Sequence, residues 1–287
     1  MATSAIGGAI DVNGIVSQLM SIERQPLQAL QKSISGIQTK LSAFGKLQGQ
    51  LSSFQDAARD LLDLDTWKAA QASTSDETAV KASASAGALP GAYDLTITQL
   101  AQRQTLATGA FANAGVVMGE GTLRIQLGTY TATGNTFTAN PDKPEVAVSI
   151  AAGSTLAQVR DAINAADANV SASIVTDAGG ARLVLRSDAT GLSNSIKMTV
   201  TDADTTDTDT SGLSRLAYDP TAAVGAGKNL TQTQAAQNAQ LSVSGIAVTS
   251  ESNTVEGVVE NVTLDLRKAG TGTLSVNVSY GGAQMRK

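Results

Sequence analysis

Cysteine and histidine are both absent from the 287 residues of this chain. That removes thiolate nucleophiles, histidine general bases, Ser-His-Asp triads and nearly every zinc or copper site. Catalysis by paired carboxylates or by a Ser-Lys pair is what remains open. No disulfide framework can form, so compartment is not legible from redox chemistry. Aromatic residues make up only 3% of the chain, with one Trp, too few to furnish an aromatic-lined ligand pocket readily. Basic residues are the minority, 20 Lys and Arg against 25 Asp and Glu for a net charge of -5, and they form no cluster. Nucleic acid is therefore excluded as a partner, because its binding is driven by counterion release from basic patches. No stretch approaches the ~20 apolar residues of a membrane helix, so no membrane insertion is expected. The opening MATSAIGGAIDVNG lacks the basic start and continuous apolar core of a secretory signal. Cytoplasmic residence, or export by a route without a cleaved leader, are the two expectations left.

What the chain does have is a heptad stripe. Leu27, Leu30, Ile34, Ile37, Leu41 and Phe44 are spaced by alternating threes and fours, and the pattern resumes at Leu47, Leu51, Phe54, Ala58 and Leu61. This is the period of a coiled-coil seam on one helix face. The repeated step of three from Phe44 to Leu47 is a stammer-like slip. Ahead of it, Val12, Ile15, Val16, Leu19, Met20 and Ile22 cover a wider arc. Pro26 predicts a break, with a first short helix over Val12 to Arg24 and the long one starting beside it. A narrow stripe is not satisfied alone in water, and the chain offers no second heptad segment. The arm is built for assembly.

After Trp67 the period changes. Ala79–Ser83 and Tyr93–Ile97 alternate around Pro90-Gly91 and predict two strands of one antiparallel pair. Further strands are expected at Thr122–Leu127, Thr136–Ala139 and Val146–Ile150. Thr155 and Gln158 form a capping box ahead of a short helix with Leu156, Val159, Ile163 and Ala166 on one face. Val170, Ala172 and Ile174 then alternate into Asp177-Ala178-Gly179-Gly180 and Arg182–Leu185, a β-hairpin. Strands return at Leu241–Val243, Ile246–Val248, Val262–Leu266 and Leu274–Val278, with a helix–turn region expected at SESNTVEGVVEN. The fold class is α+β. A coiled-coil-type arm over 1–71 precedes two β-rich domains, one of 72–109 plus 235–287 and an inserted one of 110–234.

Motifs that would carry chemistry are weak. Asp56, Asp60, Asp63 and Asp65 lie near the end of the heptad helix, where a solvated face outweighs the two-carboxylate cleft of a glycosidase. Trp67 reads as a buried hinge rather than a ligand platform. Gly7-Gly8 has neither the preceding strand nor the following Lys of a phosphate loop. The acidic stretch Thr199–Ser211 offers oxygen ligands, but without the central Gly and distal Glu of an EF-hand loop it reads as a solvated loop rather than a calcium site.

Three segments are similar to one family. IDVNGIVSQLMSIERQPLQAL closely resembles the start of the bacterial flagellar filament cap proteins, the flagellar hook-associated protein 2 family. VSIAAGSTLAQVRDAINAADANVSASIVTDAGGARLVLRSDATG is similar to a repeat of flagellin and hook-associated proteins. AAQNAQLSVSGIAVTSESNTVEGVVENVTLDLRKAGTG resembles the segment where the family's head returns toward its leg. The family continues to a C-terminal helix that pairs with the N-terminal one, so the chain is expected to lack the C-terminal part. The resemblance implies a non-enzymatic structural subunit without cofactor or metal. Copies would form a ring at the filament tip, where flagellin folds and inserts beneath them. Flagellin, hook–filament junction proteins and an export chaperone are the implied partners. The implied location is extracellular, at the flagellum tip, reached by the flagellar type III route. The candidate assembly residues are Ile15, Val16, Leu19 and Ile22 in the leader, and Leu27, Leu30, Ile34, Ile37, Leu41 and Phe44 in the stripe. The alternatives are a flagellin-like or hook-junction subunit, an adhesin-type head on host glycans, and, least supported, a carboxylate hydrolase.

Overall fold

A computed structural model describes residues 12–62 and 70–280. The chain divides into two compact units, Met1–Trp67 and Lys68–Lys287. The first unit is carried by one helix, α1 (Val12–Leu62), of 51 residues, roughly 75 Å long at 1.5 Å per residue. The expected break at Pro26 does not occur, and the helix runs through it. A proline inside a helix removes one donor and leaves the carbonyl four residues back unpartnered. Around Pro26 α1 is exposed on every side, so water can take up that carbonyl. Ser21, Thr39 and Ser53 donate their hydroxyls to the carbonyls of Gln18, Ser35 and Gly49 at 2.8, 2.8 and 3.0 Å.

Among the described residues the second unit contains sixteen strands and one α-helix around two hydrophobic cores. In chain order the strands are β1 (Ala70–Thr74), β2 (Val80–Ala84), β3 (Gly91–Gln99), β4 (Thr105–Ala107), β5 (Gly121–Thr131), β6 (Thr136–Ala139) and β7 (Val146–Ile150). After the helix α2 (Leu156–Ala165) come β8 (Val170–Asp177), β9 (Gly180–Ser187), β10 (Ser195–Asp202) and β11 (Thr231–Gln234). The last five are β12 (Ala239–Val243), β13 (Ile246–Ser250), β14 (Thr254–Val259), β15 (Val262–Leu266) and β16 (Thr273–Tyr280).

The outer core uses both ends of this unit. A five-stranded sheet, β1-β16-β3-β12-β13, and a three-stranded one, β14-β15-β2, bury alternate residues such as Leu95, Ile97, Leu241, Leu264 and Val276. The inner core lies between a sheet ordered β10-β5-β6, with β7 also on β5, and a sheet ordered β11-β4-β9-β8. Helix α2 closes it with Leu156, Val159 and Ile163, and its capping box is formed by Thr155 and Gln158. The β8–β9 hairpin turns between Asp177 and Gly180, where φ is 121°.

Three local expectations are corrected. β2 and β3 do not pair with each other: β2 pairs with β15, and β3 with β12 and β16. Their connection, residues 85–90, carries the chain between the two sheets of the outer core instead of closing a two-residue hairpin. SESNTVEGVVEN is not helical; it holds β14, whose ladder with β15 is interrupted beside Gly257 at φ 73°. Finally, β4 lies within 72–109 yet pairs with β9 and β11 and places Leu106 in the inner core. The crossing into the inner core therefore falls before residue 105, not at 109.

Candidate assembly surfaces

The ten candidate residues all sit on α1, and all are open to solvent, from 47% exposed at Ile34 to 71% at Leu41. At about 100° per residue, Leu27 to Phe44 fall within an arc of about 100°. Ile15, Val16, Leu19 and Ile22 fall within about 120° on an overlapping side. Leu47, Leu51 and Phe54, at 60%, 58% and 69% exposure, continue the line. Isolated apolar residues on a surface are ordinary; a contiguous apolar line this long is not. The side chain of Asp60 and residues 63–69, with Asp63, Asp65 and Trp67, lie outside the described residues, as does Gly7-Gly8.

The second surface is the joint between the two cores of the head. Two chain segments cross it antiparallel. Gln102 N–H donates to Gln237 O at 2.9 Å, and Gln237 N–H donates to Gln102 O at 3.2 Å. Gln104, 3% exposed, accepts from Ile196 N–H at 2.5 Å and donates to Gln232 Oε1 at 2.7 Å. Tyr218 Oη donates to the same Gln232 oxygen at 3.2 Å. Burial, and then the nearby Tyr130, push the Tyr218 phenol up to about 12. The outer core reaches across as well. Asn253 holds the crossing segment on the outer side, accepting from Ala101 N–H at 2.7 Å and donating to Ala101 O at 3.0 Å, with Ala101 itself in the outer core. Thr190 donates to Glu251 O, and Ser193 donates to its carboxylate, both at 2.6 Å. Gly191 has φ 101°, and only glycine fits there, since a Cβ would lie 2.6 Å from Glu251 Cβ. Buried amides satisfied on both sides fix a joint more firmly than apolar contact alone.

None of these joint residues was singled out in the sequence. The available signal was a pair of glutamine-rich stretches, QLAQRQ before the inner core and QTQAAQNAQ after it. Neither has a helical or strand period that would raise it above loop.

The acidic stretch 199–211 begins as the end of β10 and continues as a loop. Asp202 is buried and accepts from Ser214 N–H at 2.9 Å, and Asp204 and Asp209 accept from Thr206 and Ser211 N–H at 2.8 and 3.1 Å. Nearby, Lys197 Nζ lies 2.7 Å from Asp219 Oδ2. Partial burial would raise that carboxyl, but Lys197 and the Thr221 donors outweigh it and hold it below the usual range. Among the described residues no group of three or more acidic side chains is placed to hold a metal ion. No described helix is long and apolar enough to cross a membrane.

Comparison with known proteins gives three matches in chain order. Residues 8–104 match the flagellar hook-associated protein 2 N-terminus, 129–189 the flagellin hook IN motif, and 236–286 the flagellar hook-associated protein 2 C-terminus. The chain is 33% identical over 260 residues to flagellar hook-associated protein 2 of Escherichia coli K12, covering 89% of this chain and 51% of that protein. It is 32% identical over 297 residues to the A-type protein of Pseudomonas aeruginosa, covering 96% and 57%. The chain thus spans about half the length of the curated relatives it matches. Among solved structures, it is similar to the D1-D2-D3 domains of the E. coli flagellar cap protein FliD, with TM-score 0.67, 33% identity and coverage of 85% of this chain and 64% of that one. The E. coli D2-D3 domains align at TM-score 0.61 and 32% identity over 74% of this chain and 99% of theirs.

Proposed function

This chain belongs to the flagellar hook-associated protein 2 family, and on that premise we propose that it is a structural, non-enzymatic subunit of the flagellar filament cap. Copies assemble as a ring at the extracellular tip of the filament, and flagellin folds and inserts beneath them. Hook–filament junction proteins and an export chaperone are the further partners, and the flagellar type III channel is the route out. The observation that supports this reading best is the apolar line on α1, ten candidate side chains at 47% exposure or more on a single long helix. Such a line has one physical use, burial against other helices, worth about 1.5–3 kcal/mol per large side chain. We assign assembly to Ile15, Val16, Leu19, Ile22, Leu27, Leu30, Ile34, Ile37, Leu41 and Phe44. We also assign the domain plan of an arm followed by a head domain inserted in another, with the inner one entered after Gln104.

The test is genetic and biochemical together. Removing the gene from its bacterium should abolish filaments and release unpolymerised flagellin into the medium. Restoring it with Leu19→Asp and Ile22→Asp should leave the head's thermal unfolding unchanged and still fail to restore filaments, because a buried unpaired charge is strongly unfavourable. Secretion of the variant is measured alongside, to separate assembly from export. Intact filaments in the deleted strain would reject the capping role, and intact filaments with the secreted double variant would reject the leader's part in it.

A further inference from the structure

A strand at the edge of a sheet leaves one row of backbone N–H and C=O groups without a ladder partner, a template on which another chain can pair. β8 is such an edge. It pairs with β9 in unbroken register from Val170–Ser187 to Asp177–Gly180, and with no other strand. Its 8 residues, VSASIVTD, include no Lys, Arg or Pro. Asp177, its one charge, sits at the turn and is paired with Arg182 at 3.1 Å. Val175 is 51% exposed. By composition this edge is open to pairing.

One side chain closes it. Asn164 of α2 donates from Nδ2 to Ala172 O at 2.9 Å and accepts at Oδ1 from Ala172 N–H at 2.7 Å. A carboxamide offers the same donor and acceptor as a peptide group, so it fills one rung of the strand that β8 lacks. The helix sets its aim. Leu156, Val159 and Ile163 are buried in the inner core, and Asn164, one step of about 100° further round, meets the edge. Along an antiparallel ladder, residues alternate between bonding the neighbour and pointing both groups away from it. Ala172 marks the outward set, to which Ile174 and Thr176 also belong. Among the described residues the outward groups of those two have no protein partner. The other edge strand of 8 residues, β10, is closed in the same manner. Gln104 Oε1 accepts from Ile196 N–H, and Tyr218 exchanges backbone bonds with Met198 at 2.8 and 2.7 Å. The plugs thus fall on the two longest edges of the head among the described residues.

We propose that Asn164 is an edge guard, a positioning residue that holds β8 closed to strand addition by a second copy of this chain. A ladder begun on β8 must displace Asn164 from Ala172 before it can run the length of the strand. Only Ile174 and Thr176 are left to start it, and so short a pairing is not stable by itself in water. Edge strands in other folds are blunted by a lysine, a proline or a bulge; β8 has none of these, and the amide on the neighbouring helix takes their place. The inference does not depend on the capping role or on the α1 seam, since it concerns a contact that the head refuses.

The full chain carrying Leu30→Asp with Ile34→Asp, which takes α1 out of the association, is the parent for the test. In it, Asn164→Ala should self-associate at a concentration at least tenfold lower, measured by sedimentation, and the Ala172 amide should exchange hydrogen at least tenfold faster. Adding Val175→Lys places a charge on the opened edge. It should return association to the parent's level while Ala172 exchange stays fast and the melting temperature stays that of Asn164→Ala. Asn164→Ser, too short to reach both groups of Ala172, replaces the alanine variant if that one does not fold. Association unchanged from the parent, with Ala172 exchanging fast, overturns the guard. An Ala172 amide that stays protected without Asn164 overturns the clamp on which it rests. Association that persists with Val175→Lys, or a rescue that comes with a regained melting temperature, assigns the association to unfolding and also overturns it.

Discussion

Leu30 and Leu41 on α1 are 65% and 71% exposed, while Leu123 and Leu183 in the inner core are 0% exposed. The residue type is the same and the period is equally regular in both places: three and four on the helix, two on β5 and β9. The glycines divide the same way. A Cβ on Gly36, Gly45 or Gly49 of α1 would meet nothing within 4 Å, whereas one on Gly180 would lie 2.0 Å from Phe111 O. In the head, apolar pattern and glycine position are satisfied within the chain. On the arm neither is satisfied among the described residues.

The contrast is broken or sharpened most directly by truncation. Leu183→Ala in the inner core should cost about 2–5 kcal/mol through lost transfer energy and a cavity. Leu41→Ala should leave the head's stability within about 0.5 kcal/mol, as an exposed substitution does. Urea unfolding of the purified chain, followed by circular dichroism, measures both. Comparable losses would show that the seam is buried within the chain after all.

Glycine replacement has a smaller expected effect, but its sign differs between the two regions. Gly180→Ala should destabilise the head by about 1–3 kcal/mol, because its φ of 121° is left-handed and a side chain there is strained. Gly36→Ala and Gly45→Ala should each favour α1 by about 1 kcal/mol, since glycine is a poor helix former and these two have free space. Helicity by circular dichroism and the melting temperature of the head read the two effects apart. Loss of helicity in either α1 variant would contradict the free space around those positions.

The smallest effect is electrostatic. The Gly179 N–H at 2.7 Å and then Arg182 hold the Asp177 carboxyl below its ordinary value. A depressed native pKa contributes stability that is present above the unfolded value of about 3.9 and lost as pH falls through the native one. Asp177→Asn should therefore be less stable than the parent at neutral pH and converge with it in acid. Urea midpoints at both extremes check this, and a gap that persists in acid would assign the loss to something other than charge.

How much was legible in the residues varies with the range of the interaction. The capping box at Thr155 and the Asp177–Gly180 hairpin turn depend on neighbours a few positions away, and both lie where the pattern places them. The expected pairing of β2 with β3 fails because a strand's partner is set by the sheet that covers it. For β2 that is β15, nearly the whole second unit away in sequence. SNTVEG departs from its expected helix–turn for a related reason: Val255 and Val259 are spaced as on a helix face, yet Gly257 interrupts a strand ladder between them. Pro26 shows the opposite error, a local rule given more weight than an exposed helix imposes.

The residues alone determined the character of the arm and the chemistry the protein lacks. A 3.5-residue apolar period and the absence of Cys and His are properties of the chain that no tertiary contact can alter. Tertiary structure alone decided the joint. Gln104 becomes a buried bridge between Ile196 on β10 and Gln232 on β11 only because the two sheets of the inner core close around it. Arg103 and Arg186, separated by most of the inner core in sequence, come to line one groove only because β4 and β9 pair. Periodicity reports the face a residue turns to its own element, whereas a site assembled from distant segments exists only once loop closure has brought those segments together.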